Sequence, residues 1–201
     1  MFRKKPPISE RIKEAIHPTP MKRKITSTLH RLSVQLKHLE RKSYQLQNRD
    51  KELYKKCVSA LQSKKNEMAT MYANECAEIR KIMMTTIKSQ LALEQVKLRL
   101  ETIKDFGEYT YLMGSVLSVI DGIKSQLVSI LPDISNELSD IGETLQNMVV
   151  EIGDATDQSF DTSIPTEEGN KILDEATAVA EQKMKETLPE IPPIPTKESK
   201  I

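Results

Sequence analysis

The stretch Ile25-Thr-Ser-Thr-Leu29-His-Arg-Leu32-Ser-Val-Gln-Leu36-Lys-His-Leu39 decides the fold. Its large apolar residues step by four, three, four and three, the spacing that holds one side of an α-helix against a partner helix. Followed outward, the seam continues through Leu46, Leu53, Cys57 and Ala60, with Ser43 and Asp50 on the two missing rungs. A rhythm kept up for about five heptads predicts a long helix packed on another. Thr19-Pro20 supplies its start, a capping hydroxyl followed by proline at the first helical position.

A break is expected at Ser63-Lys64-Lys65-Asn66, after which the rhythm resumes on Met68, Tyr72, Ile79, Ile82, Leu93, Val96, Leu100 and Ile103. Glu75, Thr86 and Ser89 fill its polar rungs. A further row, Met83, Ile87, Leu91 and Leu98, widens the apolar face beyond what one antiparallel neighbour covers. A second partner is therefore implied, from the same chain or from another subunit, and this row is the candidate assembly face. At 1.5 Å per residue, two helices of about 40 residues over residues 21–104 make an antiparallel hairpin roughly 60 Å long.

Asp105-Phe106-Gly107 reads as the glycine-capped end of that rod. Two shorter amphipathic helices are expected over about 107–152. One carries Tyr109, Leu112, Val116, Val119, Ile123, Leu127 and Ile130; the other, after Pro132, carries Ile134, Leu138, Ile141, Leu145, Met148 and Ile152. Residues 153–165 read as an acidic flexible linker, and Thr166-Glu167-Glu168 opens a short helix to about Glu186. Leu188-Pro-Glu-Ile-Pro-Pro-Ile-Pro195 has to be extended, because four prolines in eight residues forbid a helix. The expected fold is all-α in three parts: a basic lead over 1–20, a helical core over 21–155, and an acidic linker, short helix and proline-rich tail over 156–201.

Composition agrees. Aromatic residues are only 4% of the chain, Trp is absent and 29% of residues are charged, a bias of long helices rather than of a thick core. The net charge of +1 conceals a split. Residues 1–104 hold 24 Lys and Arg against 10 Asp and Glu, whereas residues 105–201 hold 6 against 19. The front half suits a polyanion, and the back half can pair with it. Cys57 and Cys76 make neither a disulfide framework nor a zinc site and read as small apolar residues in a reducing compartment. The start of the chain reads as charged sequence rather than a signal peptide. The longest charge-free apolar stretch, Tyr109 to Ile120, is 12 residues against the roughly 20 a membrane span needs.

Within the second long helix, Tyr72-Ala-Asn-Glu-Cys-Ala-Glu-Ile-Arg-Lys81 and Leu91-Ala-Leu-Glu-Gln-Val-Lys-Leu-Arg-Leu-Glu-Thr-Ile103 resemble archaeal ESCRT-III-like division proteins of the CdvB type. Arg49-Asp-Lys-Glu-Leu-Tyr-Lys-Lys56 is similar to the same family, and the likeness covers about residues 20–155. Residues 171–187 are similar to its C-terminal helix. Leu188-Pro189-x-Ile191-Pro192 resembles a proline-rich MIT-interacting motif, read by the MIT domain of a partner AAA ATPase. The resemblance implies a helical hairpin that polymerises with itself and with paralogous subunits into membrane filaments, constricts the division site and is dismantled by that ATPase. It also implies a cytoplasmic protein peripheral to the inner face of the cell membrane. A chain ending at Ile201 has no room for the C-terminal winged helix some members carry, so that recruitment route is not expected.

The candidate membrane-binding residues follow from the charge. Lys24, Arg31 and His38 are spaced by seven, as are Lys42, Arg49 and Lys56, and the two sets share one flank of the first helix. With Lys22, Arg23, Lys37 and Arg41 they form a cationic band, each member worth about 1 kcal/mol beside anionic headgroups. An ordinary solvated face and a phosphate-tracking DNA surface are the competing readings. DNA binding is disfavoured by the lack of stacking aromatics and of a compact recognition module. Phe2 with Arg3, Lys4 and Lys5, ahead of Ile8, Ile12 and Ile16, reads equally as a shallow membrane insertion or as a plain tail. In the proline tail Leu188, Ile191 and Ile194 alternate with Pro189, Pro192 and Pro195, offering apolar anchors on a pre-extended strand.

Folded onto the basic hairpin, the acidic half would neutralise the band and cover the apolar row, a closure that salt should weaken. His17, His30 and His38 are scattered, and no phosphate loop, zinc helix or nucleophile elbow is present, so neither an enzyme nor a cofactor or metal site is expected. A coiled-coil adaptor that tethers partners without polymerising is the main alternative function, with a DNA-organising protein behind it.

Overall fold

Pro20 opens the first helix, as its fixed φ and missing N–H allow. The computed structural model describes residues 20–106, 109–156 and 166–194, which form helices α1 (Pro20–Gln62), α2 (Asn66–Phe106), α3 (Tyr109–Leu127), α4 (Pro132–Thr156) and α5 (Glu167–Thr187). The described part of the chain is thus helical, as expected. Residues 1–19, Gly107, Glu108 and residues 157–165 and 195–201 fall outside the described residues, so the expected lead, glycine cap, most of the linker and the end of the proline-rich tail do too.

α1 and α2 pair as the antiparallel hairpin. Its turn is tied by Lys65 N–H donating to Ala60 O and Lys64 N–H donating to Leu61 O, both 2.9 Å. Lys64 takes the left-handed conformation (φ 55°) in which a helix of this kind usually places glycine. The α1 seam is buried from Ile25 through Leu32, Leu39, Leu46 and Leu53 to Ala60. On α2 the register near the turn differs from the expected one. Met68 is exposed and Tyr72 half-buried, while Ala69, Ala73 and Cys76 are buried. Small side chains take the seam there because the two helices approach closely at their turn, leaving no room for Met or Tyr between them.

The wide face of α2 finds its second partner in the same chain. α3 and α5 both pack on α2, and α4 packs on α3 and on α1. Ala92, Leu93, Val96, Leu100 and Ile103 of α2 join Val116, Ile120 and Ile123 of α3 and Leu138, Ile141 and Leu145 of α4 in one continuous core. Each such Leu or Ile gives about 1.5–3 kcal/mol on leaving water. The turn between α3 and α4 is fixed by Leu131 N–H donating to Leu127 O (2.7 Å) and Ser135 Oγ donating to Lys124 O (3.0 Å). α4 continues to Thr156, past the boundary at which a linker was expected, because one glycine at 153 near a helix end costs only about 1 kcal/mol. Thr166 caps α5, accepting from Gly169 N–H at 3.0 Å, and Leu188 leaves it with extended dihedrals (φ −111°, ψ 133°). Among the described residues no helix is long and apolar enough to cross a membrane.

Candidate functional site

Charge organises the side of the molecule where α4 meets α1. Residues 21–36 of α1 carry four Lys and Arg and no acid, and residues 132–156 carry six Asp and Glu and no Lys or Arg. The two segments lie side by side in opposite directions. Lys24 Nζ donates to Glu151, and Arg31 Nε reaches Glu137 Oε1 at 2.7 Å with its Nη2 3.8 Å from Asp140. The acidic helix α4 is therefore folded onto the basic helix, whereas α3 and α5 pack elsewhere, on α2. These pairs are a third to two-thirds exposed and contribute at most about 1 kcal/mol each. Apolar burial holds α4 down, through Ile134, Leu138, Ile141, Leu145, Met148 and Val149. The ion pairs set its register.

α5 is attached differently. Arg99 Nη1 on α2 donates to Ser115 Oγ of α3 (2.9 Å) and to Glu168 of α5 (3.0 Å), so one guanidinium joins three helices. Beside it Thr166 N–H donates to Ser118 Oγ at 3.2 Å. Gly169 is required by that approach: a Cβ there would stand 2.7 Å from Ser118 Cβ. The buried residues of α5 are Gly169, Ile172, Ala176 and Ala180, with one large side chain among them. At about 25 cal/mol per Å², such a face holds far less tightly than the six large side chains of α4, so α5 is the element that detaches first. Gly169→Val is expected to separate α5 from α3 at a cost of about 1–3 kcal/mol. Faster amide exchange over 167–187 with unchanged exchange in α1 would show it.

Beyond α5 the extended chain runs back to the turn of the hairpin. Ile191 and Ile194 pack there, against a cluster of Cys57, Ala60, Ala69 and Ala73 that also touches Leu61 and Tyr72. Leu188 and Pro192 are half-buried and Pro189 is exposed, while Pro195 lies outside the described residues. The anchors singled out as a docking peptide are thus seated on the protein's own hairpin.

Of the candidate membrane residues, Phe2, Arg3, Lys4 and Lys5 lie outside the described residues. Lys24 and Arg31 are engaged by α4; Arg23, Lys37 and Arg41 are exposed, and Lys22 and Lys42 half-buried. The row Met83, Ile87, Leu91 and Leu98 is not a continuous exposed face in this form. Met83 is buried, Ile87 and Leu91 are half-buried, and only Leu98 stands out, at 56% exposure.

A buried ion pair went unrecognised in the seam. Asp50 is fully buried and bonds Arg80 across the hairpin through two contacts, Nε to Oδ1 at 2.7 Å and Nη2 to Oδ2 at 3.1 Å. Asp50 stands 14 residues before Lys64 and Arg80 16 residues after it, so opposite charges near-equidistant from the turn were the available signal. Cys76 lies one turn away, its Sγ 3.9 Å from Asp50 O. Burial, with Asp50 adding to it and Arg80 opposing it, pushes the Cys76 thiol up to about 11; burial also raises Cys57. Both thiols stay protonated at neutral pH, which makes them poor nucleophiles and metal ligands.

Comparison with known proteins gives a consistent picture. The Snf7 family model matches residues 27–199. Cell division protein B1 of Sulfolobus acidocaldarius is 39% identical over 173 residues, covering 86% of this chain and 81% of that protein. Cell division protein B of the same organism is 28% identical over 172 residues, covering 86% of this chain and 66% of that protein. No solved structure gives a significant match.

Proposed function

This chain belongs to the Snf7 (ESCRT-III) family, and from that premise we propose that it is a membrane-remodelling filament subunit. As a member of that family it is a structural protein, not an enzyme. Its relatives' names give it a role in archaeal cell division. The finer reading is that it polymerises with copies of itself and with paralogous subunits on the inner face of the cell membrane at the division site. There it constricts the membrane, and a partner AAA ATPase with an MIT domain takes the polymer apart.

One observation carries this reading: the cationic helix of a long hairpin is covered by an acidic helix of the same chain. A solvated rod has no use for such a cover, whereas a subunit that must wait before assembling does. Departure of α4 exposes Lys24 and Arg31 to anionic headgroups, and departure of α3 and α5 frees the α2 face that holds Leu91 for a neighbouring subunit. Assembly in the presence of anionic liposomes, followed by microscopy, tests it. Absence of open-ended polymers under every condition that detaches both α4 and α5 would favour the non-polymerising adaptor instead.

The tail is assigned to the ATPase through Leu188, Pro189, Ile191, Pro192, Ile194 and Pro195. Replacing Leu188 and Ile191 together by Asp is expected to abolish binding to an MIT domain, at least a hundredfold by titration calorimetry, because both anchors lose their apolar contact. Unchanged affinity would remove the assignment. Since Ile191 and Ile194 sit on the hairpin turn, the wild-type full chain should bind the MIT domain more weakly than a peptide of residues 186–201.

A further inference from the structure

The cover that α4 lays over α1 is partial. Lys24 and Arg31 belong to one flank of α1 that continues at seven-residue spacing through His38 and, one position over, through Lys42, Arg49 and Lys56. α4 begins at Pro132 and pairs with that flank only as far as Arg31. Past that point a groove of about 360 Å³ opens between α1 and the turn before α4, lined by His38, Arg41, Lys42 and Gln45 on one side and Ile130 to Ile134 on the other. Asp133 is the one acid in its lining.

We propose that the closed subunit already meets an anionic lipid surface through this distal half of α1, centred on Arg41 and Lys42, while the proximal cations stay occupied by α4. The inference rests on the membrane reading above and adds an order of events to it: contact first, opening second.

Charge complementarity names the occupant. Residues 37–65 carry nine Lys and Arg against three acids. Asp50, one of the three, is buried on Arg80, and Glu52 stands 4.0 Å from Arg49. Among the described residues Lys37, Arg41, Lys42, Lys55 and Lys56 have no ion-pair partner. Unpaired cations spread along about 30 Å of one helix suit an extended sheet of charges better than a single small anion. Duplex DNA presents a similar charge, but this surface is one straight helix with a single exposed aromatic, Tyr44, and no compact recognition module. Charges already held by Glu137, Asp140 and Glu151 take no part in this first contact, and they become available only when α4 leaves.

The test uses the full chain and vesicles of phosphatidylcholine with or without phosphatidylglycerol, at physiological salt. Binding is read by co-sedimentation and the state of α4 by amide exchange on the bound protein. The wild type is expected to bind the phosphatidylglycerol vesicles with α4 still protected. R41E/K42E should lose at least about tenfold in affinity, each cation near the surface being worth several-fold. K183E/K185E on α5, the same change in net charge, should stay within about twofold of wild type. Equal losses from the two pairs, exposed α4 amides in the bound state, or tighter binding to duplex DNA would each overturn the proposal. R41E/K42E binding like wild type would sink this inference alone, whereas a wild type that ignores the vesicles would take the membrane reading with it.

Discussion

Arg80→Ala is expected to lower the stability of this protein by about 3–5 kcal/mol, far more than any exposed ion pair here can contribute. The reason is the partner it leaves behind. Asp50 is fully buried in the hairpin seam and Arg80 meets both of its carboxylate oxygens. Without Arg80 that carboxylate must stay charged in an apolar seam, take up a proton, or pull the hairpin open. For a chain of about 200 residues the loss corresponds to a fall in melting temperature of roughly 10 °C. Replacing both residues by Leu should recover most of it, since two apolar side chains suit a seam whose adjoining buried rungs are Leu46, Leu53, Cys76 and Met83. Thermal denaturation followed by circular dichroism reads both variants. A single variant within 1 kcal/mol of wild type would mean that water reaches Asp50 and that the pair is not structural.

Ile172→Asp is expected to release α5 without unfolding the rest. Ile172 is the only large side chain fully committed by α5 to the core, beside Ala176 and Ala180. A carboxylate there meets no buried cation, and burying it costs several kcal/mol, more than the rest of the α5 face returns. α5 therefore detaches, and the chain following it loses its hold at the hairpin turn. Trypsin should then cut at Lys171, Lys183 and Lys185 at least about tenfold faster, while α1 to α4 keep their helical signal, because exchange and proteolysis follow the free energy of local opening. Unchanged cleavage would show that the Arg99 contacts and the tail suffice to hold α5. α4 behaves otherwise: with six large side chains in the core it stays down, and a chain ending at residue 156 still carries Glu137, Asp140 and Glu151 on the basic helix. Removing everything after about 155 thus takes away one of two layers of closure. The acidic half does not come off as a unit.

Much of this architecture was legible in advance, and the reasons are local. The four-three spacing from Ile25 to Ala60 is a direct record of one buried helix stripe; of the surplus row on α2, only Leu91 packs against the core that α3 and α5 share, and Leu98 stays exposed. Near the turn the same reading overvalued Met68 and undervalued Ala69 and Ala73, because close helix approach selects small residues that periodicity of large ones does not register. The attraction between acidic and basic halves followed from composition. Its register did not, because Lys24 meets Glu151 across 127 positions and Arg31 meets Glu137 across 106, distances fixed only by three-dimensional packing. The seating of Ile191 and Ile194 on the turn left no trace in the sequence at all. It depends on α5 and the extended residues 188–194 together covering the span of about 50 Å from Arg99 to the hairpin's end, which needs both elements placed.

The central claim is that closure of this chain restrains its assembly on membranes. Negative-stain microscopy of the full chain and of Ile172→Asp, each mixed with anionic liposomes at equal concentration, addresses it most directly. Filaments or coated, deformed vesicles are expected from the variant at concentrations where the wild type gives few. If the two proteins assemble to the same extent, or if neither assembles while both remain folded, the layer of closure that α5 supplies does not control assembly and that part of the account is wrong.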